Sequence, residues 1–491
     1  MQYLWLFLLI LTGSAMYFTW RRIRFDHFYK LVIRGMLKRK QPENFSAYFS
    51  SAQLQKITTY LLKQRNKAAL RSLFYLCFGK TAAAEDYLKN KHEDLKYAAL
   101  RSFGNYEEGI RLFSESEALP EAKAELAELY FLTGHRGKTN LILQNIPEKR
   151  VSQYVRAKKY YYMAQQYLND GNMLSASEYA GLAASLFKKS KAYVEEGKAY
   201  LLAGTIYRVS AVEDVAHFMF TQAGKIFDFL KYPAGKADAL GNLGMLWTMQ
   251  ERFDDAENYF VQSLEINQSA DRPEAAAAIK NQLALLYLLI KVYPAAEKTA
   301  LEALDVMERQ RSRSGQAFSR EILAYIYSQS RNWKALRQQA LLSAKIYDEY
   351  GDTSSYLECL YLKAIGEYEL GNSDASETDL RKIIEISQNK ASCFHVGNAY
   401  NLLGLIFLKQ NDLPRAKGLF LQSAAWEQKE ERFSGAATDY ANIGLIEYKI
   451  GNKEQALRTY ETALDYASAF SETELSGFLR SRIEELKAEL E

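Results

Sequence analysis

A small residue, Gly or Ala, recurs every 40 positions along most of this chain: Ala164, Gly204, Gly244, Ala284, Ala324, Ala364, Gly404 and Gly444. A fixed period of this size is the mark of one supersecondary unit repeated, each copy burying its apolar face against the next. Other columns keep the phase. Three residues on stand Tyr167, Tyr207, Trp247, Tyr287, Tyr327 and Phe407, interrupted by Glu367 and Glu447. Sixteen on stand Ala180, Phe220, Phe260, Ala300, Ala340, Leu380, Phe420 and Tyr460. Ala or another small residue is frequent twelve and nineteen on, as at Ala216, Ala256, Ala223 and Ala303.

Within each period the first pair of columns is one helical turn apart, and so is the second. Turn residues such as Gly171-Asn172, Asn411-Asp412 and Gly451-Asn452 fall between them. The unit is therefore expected to be a hairpin of two helices, A and B. The small residue lets helix B approach, and the aromatic residue three positions on is expected to fill the wedge. Only 7 prolines in 491 residues agree with helix throughout. The expected fold class is all-α, a right-handed superhelical solenoid of antiparallel helix hairpins preceded by one transmembrane helix.

Eight such units cover 157–476. Upstream, 126–143 keeps the register at Leu126, Ala127, Tyr130 and Gly134, and 43–156 is read as degenerate hairpins. Residues 477–491 are expected to be a capping helix, because Glu484 replaces the next small residue.

The first twenty residues carry no charge, and Tyr3 to Trp20 is long enough, at about 1.5 Å per residue, to cross a bilayer core as a helix. Aromatic rings stand at both of its ends, where the headgroups lie. Residues 21–42 are basic: Arg21, Arg22, Arg24, Lys30, Arg34, Lys38, Arg39 and Lys40 oppose the single Asp26. No basic residue precedes the apolar stretch, so an uncleaved anchor is expected rather than a signal peptide. The basic flank places the N-terminus outside and the rest in the cytoplasm, at the inner membrane in a bacterium. The interspersed Ile23, Phe25, Phe28 and Leu31 also suit a helix lying on an anionic membrane surface.

The net charge of +4 is thus concentrated in one short segment, and nucleic acid is not an expected partner. The three cysteines and five histidines form no metal-binding spacing, so neither metal nor cofactor is expected. Phe78-Gly79-Lys80-Thr81 resembles the end of a phosphate-binding loop, but Phe74 stands where the loop needs Gly. No enzyme is expected. Residues 309–345 are strongly basic and 346–380 strongly acidic, so adjacent units are expected to neutralise each other.

Two stretches, NLGMLWTMQERFDDAENYFVQSLEI (242–266) and IGLIEYKIGNKEQALRTYETALDY (443–466), resemble the tetratricopeptide repeat. That resemblance implies a scaffold that binds extended or helical segments of protein partners on the concave face formed by the A helices. The matching positions are Asn242, Met245, Met249, Asn281, Gln282, Leu285, Leu289, Tyr325, Asn401 and Asn442. Amides there suit a peptide backbone, and Met, Leu and Tyr its side chains. The layout of anchor, arginine pair and cytoplasmic repeats also resembles lipopolysaccharide assembly protein B. It implies an adaptor in envelope assembly, although the paired CxxC motifs of that family are missing here.

Overall fold

The computed structural model describes residues 110, 120–132, 135–149, 151–388, 395–469 and 473–490. The expected anchor at 1–20, the basic segment at 21–42 and most of 43–156 lie outside them. Among the described residues there are nineteen helices and no strand. They are α1 (Pro120–Leu132), α2 (Arg136–Gln144), α3 (Gln153–Asn169), α4 (Met173–Lys189), α5 (Tyr193–Val209), α6 (Glu213–Phe229), α7 (Pro233–Met249), α8 (Phe253–Ser269) and α9 (Pro273–Leu289). Then follow α10 (Tyr293–Arg309), α11 (Arg313–Gln329), α12 (Trp333–Tyr350), α13 (Thr353–Glu369), α14 (Ser373–Gln388), α15 (Val396–Lys409), α16 (Leu413–Lys429), α17 (Phe433–Ile450), α18 (Lys453–Ala469) and α19 (Thr473–Leu490). None of the described helices is long and apolar enough to cross a membrane.

The helices fall into two compact units, residues 1–279 and 280–491, divided within α9. In the first unit α1 and α2 pair around Leu126, Ala127, Ile142 and Leu143, and the hairpins α3–α4, α5–α6 and α7–α8 follow. The second unit stacks the hairpins α11–α12, α13–α14, α15–α16 and α17–α18. There α19 covers the last hairpin, burying Leu479, Ile483 and Leu486 against Ala437, Ala456 and Tyr460. Odd-numbered helices from α3 to α17 are the A helices, and even-numbered ones from α4 to α18 the B helices.

The local rhythm is 20 residues, half the period of the sequence columns. From α3 to α11 every helix has 17 residues, and three residues join it to the next. The middle residue of each such turn is left-handed: Gly171 (φ 76°), Lys191 (58°), Ala211 (56°), Lys231 (49°), Glu251 (57°) and onward to Arg331 (56°), and Gly351 (69°) and Gly451 (95°) play that part in two-residue turns. The following N–H then reaches back to the carbonyl five residues earlier, as Asn172 does to Tyr167 at 2.8 Å and Arg252 to Trp247 at 3.0 Å. This is the Schellman closure of a helix end, and it satisfies carbonyls that the helix leaves open. Turns within a hairpin and between hairpins are the same. Only four of the left-handed positions are glycine, so most turns carried no glycine signal.

Helix A meets helix B at the 40-residue column, and the side chain directly against the small residue is the one sixteen positions on. A Cβ on Gly204, Gly244, Gly404 or Gly444 would come 2.5–2.8 Å from the ring of Phe220, Phe260, Phe420 or Tyr460. Each ring stands sixteen residues later, on helix B. Where the first column holds Ala, the partner shrinks to Ala180, Ala300, Ala340 or Leu380, and all of these pairs are buried. The two columns therefore compensate in size: a ring stands only where the first column is glycine, and a smaller side chain where it is alanine. The aromatic column packs beside this contact: Tyr167, Tyr207, Tyr327 and Phe407 each lie against B-helix residues of their own hairpin, such as Ala176, Ala216, Leu336 and Ala416. Trp247 lies at the hairpin turn with the Arg252 guanidinium 4.0 Å above its ring, and Tyr167 stacks on Tyr179.

The opposed charge blocks do meet within the second unit. Arg313 pairs with Glu349, and Arg337 lies 3.6 Å from Glu367.

Candidate protein-binding face

A helices other than α9 pack on their own B helix and on neighbouring helices, and the exposure pattern leaves one stripe partly open. On α7 this stripe is Asn242, Met245 and Met249, spaced by three and four residues as one helix face requires. Met249, at the end of the stripe, is 49% exposed. Asn242 turns its amide onto its own helix, donating to the Asp238 carbonyl at 2.8 Å. On α9 the matching stripe is Gln282, Leu285 and Leu289, and Leu289 is 56% exposed.

The two asparagines one position earlier in the period are placed differently. Asn281 is fully buried and donates to Ser319 Oγ of α11 at 2.9 Å. Asn401 repeats that contact one hairpin pair at a time, donating to Asp439 Oδ1 of α17 at 2.7 Å. Both amides join neighbouring A helices, and a partner's backbone would have to displace those bonds. Asn442 is half-buried on α17.

Tyr325 belongs to a polar chain in the second unit. Its hydroxyl donates to Glu358 of α13, whose other oxygen lies 3.2 Å from His395 Nε2 at the start of α15. Beside it, the Tyr347 hydroxyl donates to Glu321 at 2.7 Å. Burial pushes the Glu321 carboxyl up to about 7, and does the same to Asp439, which is 1% exposed. Burial also raises the Tyr325 hydroxyl, with Glu358 adding to the effect, and lowers His395. Cys359, buried in the same region, has its thiol raised by burial and is poorly suited to react as a thiolate. Among the described residues no group of three or more His, Cys, Asp and Glu is arranged to hold a metal ion.

Sequence reasoning passed over Arg208 on α5. Its guanidinium reaches the Met249 sulfur at 3.7 Å, and no carboxylate among the described residues pairs with it. A signal was present, because the same column otherwise holds Leu168, Thr248, Leu288, Ser328, Tyr368, Leu408 and Tyr448, none of them charged at neutral pH.

Comparison with known proteins agrees with this architecture. Residues 237–270, most of α7 together with α8, match the family model of the tetratricopeptide repeat. The apo form of the quorum sensor NprR from B. thuringiensis is similar over 70% of this chain and 98% of its own, at 12% identity and a TM-score of 0.50. A Rap protein complexed with Competence and Sporulation Factor is similar over 82% of this chain and 99% of its own, at 13% identity and a TM-score of 0.47. A tetratricopeptide repeat protein from Parabacteroides merdae covers 59% of this chain at 18% identity and a TM-score of 0.37, with 98% of its own length matched. At 12% identity the likeness to NprR is one of fold alone. No relative was found among the curated proteins.

Proposed function

We propose that this protein is a scaffold that holds a protein partner on the open face of its A helices and is tethered to a membrane by residues 1–20. The observation that carries the reading is the stripe on α7. Asn242, Met245 and Met249 share one helix face, and the methionine at its end is half exposed although every other flank of α7 is packed. Methionine is flexible and polarizable, and it adapts to a partner's side chains at little cost. The match to the tetratricopeptide repeat at 237–270 supports the same reading. Asn242, Met245, Met249, Gln282, Leu285, Leu289, Tyr325 and Asn442 remain candidate contacts. Asn281 and Asn401 act through the spacing of neighbouring A helices.

A photo-crosslinking residue placed at Met245 tests this. It should trap one defined partner, and Asn242→Asp with Met249→Asp elsewhere in the stripe should abolish the trapping. A crosslinker at Phe218, on the B helix α6, should not trap it. Equal trapping from both positions would sink the reading.

The tether rests on the uncharged apolar stretch to Trp20 and the basic run after it. Removal of residues 1–40 should release the protein from the membrane fraction while sparing partner binding. A reporter fused after residue 60 should be cytoplasmic. A truncated protein that stays with the membranes would count against the anchor. The narrower role in envelope assembly rests on the layout of the first forty residues alone.

A further inference from the structure

We propose that the surface where α5 meets α7, at Arg208 and Met249, receives a segment of a partner protein whose aspartate or glutamate side chain docks on the Arg208 guanidinium. This rests on the protein-binding reading above and adds the chemistry of the partner. Arg208 Nε is shielded from solvent and has no hydrogen-bond partner. One terminal nitrogen meets only the Met249 thioether, a weak acceptor, at 3.7 Å. Acidic groups on adjoining segments are engaged elsewhere: Glu213 accepts from Gln250 at 2.6 Å, and Asp238 pairs with Arg272 at 3.3 Å. Burial lowers the guanidinium pKa, and no carboxylate offsets it. A half-buried charge in this state is costly, and a bidentate carboxylate is its best-matched partner.

The surroundings point to a polypeptide rather than a small anion. Val209 and Met249 are about half exposed on either side, offering apolar contact next to the charge. Charge complementarity therefore selects an acidic residue flanked by apolar ones, presented within a chain.

The test selects random short peptides, displayed with their C-termini blocked, on the full chain and on its Arg208→Gln and Arg208→Lys variants. The native protein should enrich peptides with one Asp or Glu at a fixed spacing from an apolar residue. In a synthetic version, Asp→Asn or Glu→Gln should weaken binding roughly tenfold or more, the scale of a lost charge-assisted bond. Arg208→Gln should lose the acidic preference with helicity and melting unchanged, and Arg208→Lys should keep part of it. Identical acidic peptides on Arg208→Gln, or peptides without an acidic residue on the native chain, overturn the assignment and leave the scaffold reading standing. Binding that needs a free C-terminal carboxylate, or self-association that Arg208→Gln abolishes, overturns it too. Failure of the native chain to enrich any peptide overturns both readings.

Discussion

Phe260 occupies the volume that a side chain on Gly244 would need: a Cβ there would lie 2.6 Å from the ring. Such a contact makes the two positions interdependent. Gly244→Ala alone should cost about 1–3 kcal/mol by overpacking, and Gly244→Leu more. Phe260→Ala alone should cost about 3–5 kcal/mol through the lost ring and its cavity. In the Phe260→Ala background, Gly244→Ala should be nearly free, because the pair then copies Ala284 and Ala300. Urea unfolding of the four proteins measures the coupling, and additive costs would refute size compensation.

The left-handed turns make a different prediction. Lys231 sits at φ 49°, a conformation open to glycine and strongly disfavoured for β-branched residues. Lys231→Val should cost about 1–2 kcal/mol, whereas Lys231→Gly should leave melting unchanged or raised. Equal melting temperatures for the two variants would contradict the turn geometry.

The buried carboxylates fix the direction of the pH response. Asp439 is raised from 3.8 to about 7, chiefly by burial, and Glu321 from 4.5 to about 7 for the same reason. Between those values the folded chain holds protons that the unfolded chain has released. Stability from these groups is present at the acidic side and is lost as pH rises through the window. Asp439→Asn keeps an acceptor for Asn401 and removes one titration, so melting should depend less steeply on pH between about 4 and 7. A variant with the native slope would show that Asp439 does not titrate there.

Glu427 offers a test of what a buried charge contributes. It stands five 40-residue periods after Phe227. Each side chain lies between two glycines: Phe227 between Gly197 and Gly235, and Glu427 between Gly397 and Gly435. Arg432, 3.1 Å from Glu427, also pairs with Glu430 at 2.8 Å, so it keeps a counter-ion if Glu427 is replaced. Glu427→Phe should therefore raise the melting temperature at neutral pH, since exchanging a buried ion pair for packed apolar atoms often gains about 1–4 kcal/mol. Glu427→Ala, which leaves a hole, should lower it. A destabilised Glu427→Phe would mean that the slot is shaped for a carboxylate.

The period, the small-residue column and the hairpin were legible in the amino-acid sequence because they repeat. Size compensation was equally present in the columns at Gly244 and Phe260, but it shows only when two columns are compared with each other. The turns were hidden because Lys191, Ala211 and Glu251 adopt a backbone usually marked by glycine. The polar face was hardest to read. Asn242 and Asn281 look alike in a repeat alignment, yet one lies on an open stripe and the other is enclosed against Ser319. A single residue of separation moves an amide by about 100° around a helix, and periodicity places a column more surely than it places the packing around it.

The described turns from Gly171 to Gly451 share the same left-handed residue and the same back-bonded closure, whichever two helices they join. A recombination event that adds or removes 40 residues therefore rejoins the array through a turn it already uses, with both columns still in phase. A 20-residue event finds the same turn but carries the glycine column onto a B helix, four residues beyond the ring column, so the pairing is lost. Over evolutionary time such a gene can lengthen or shorten by whole hairpins, and half-steps are removed by misfolding.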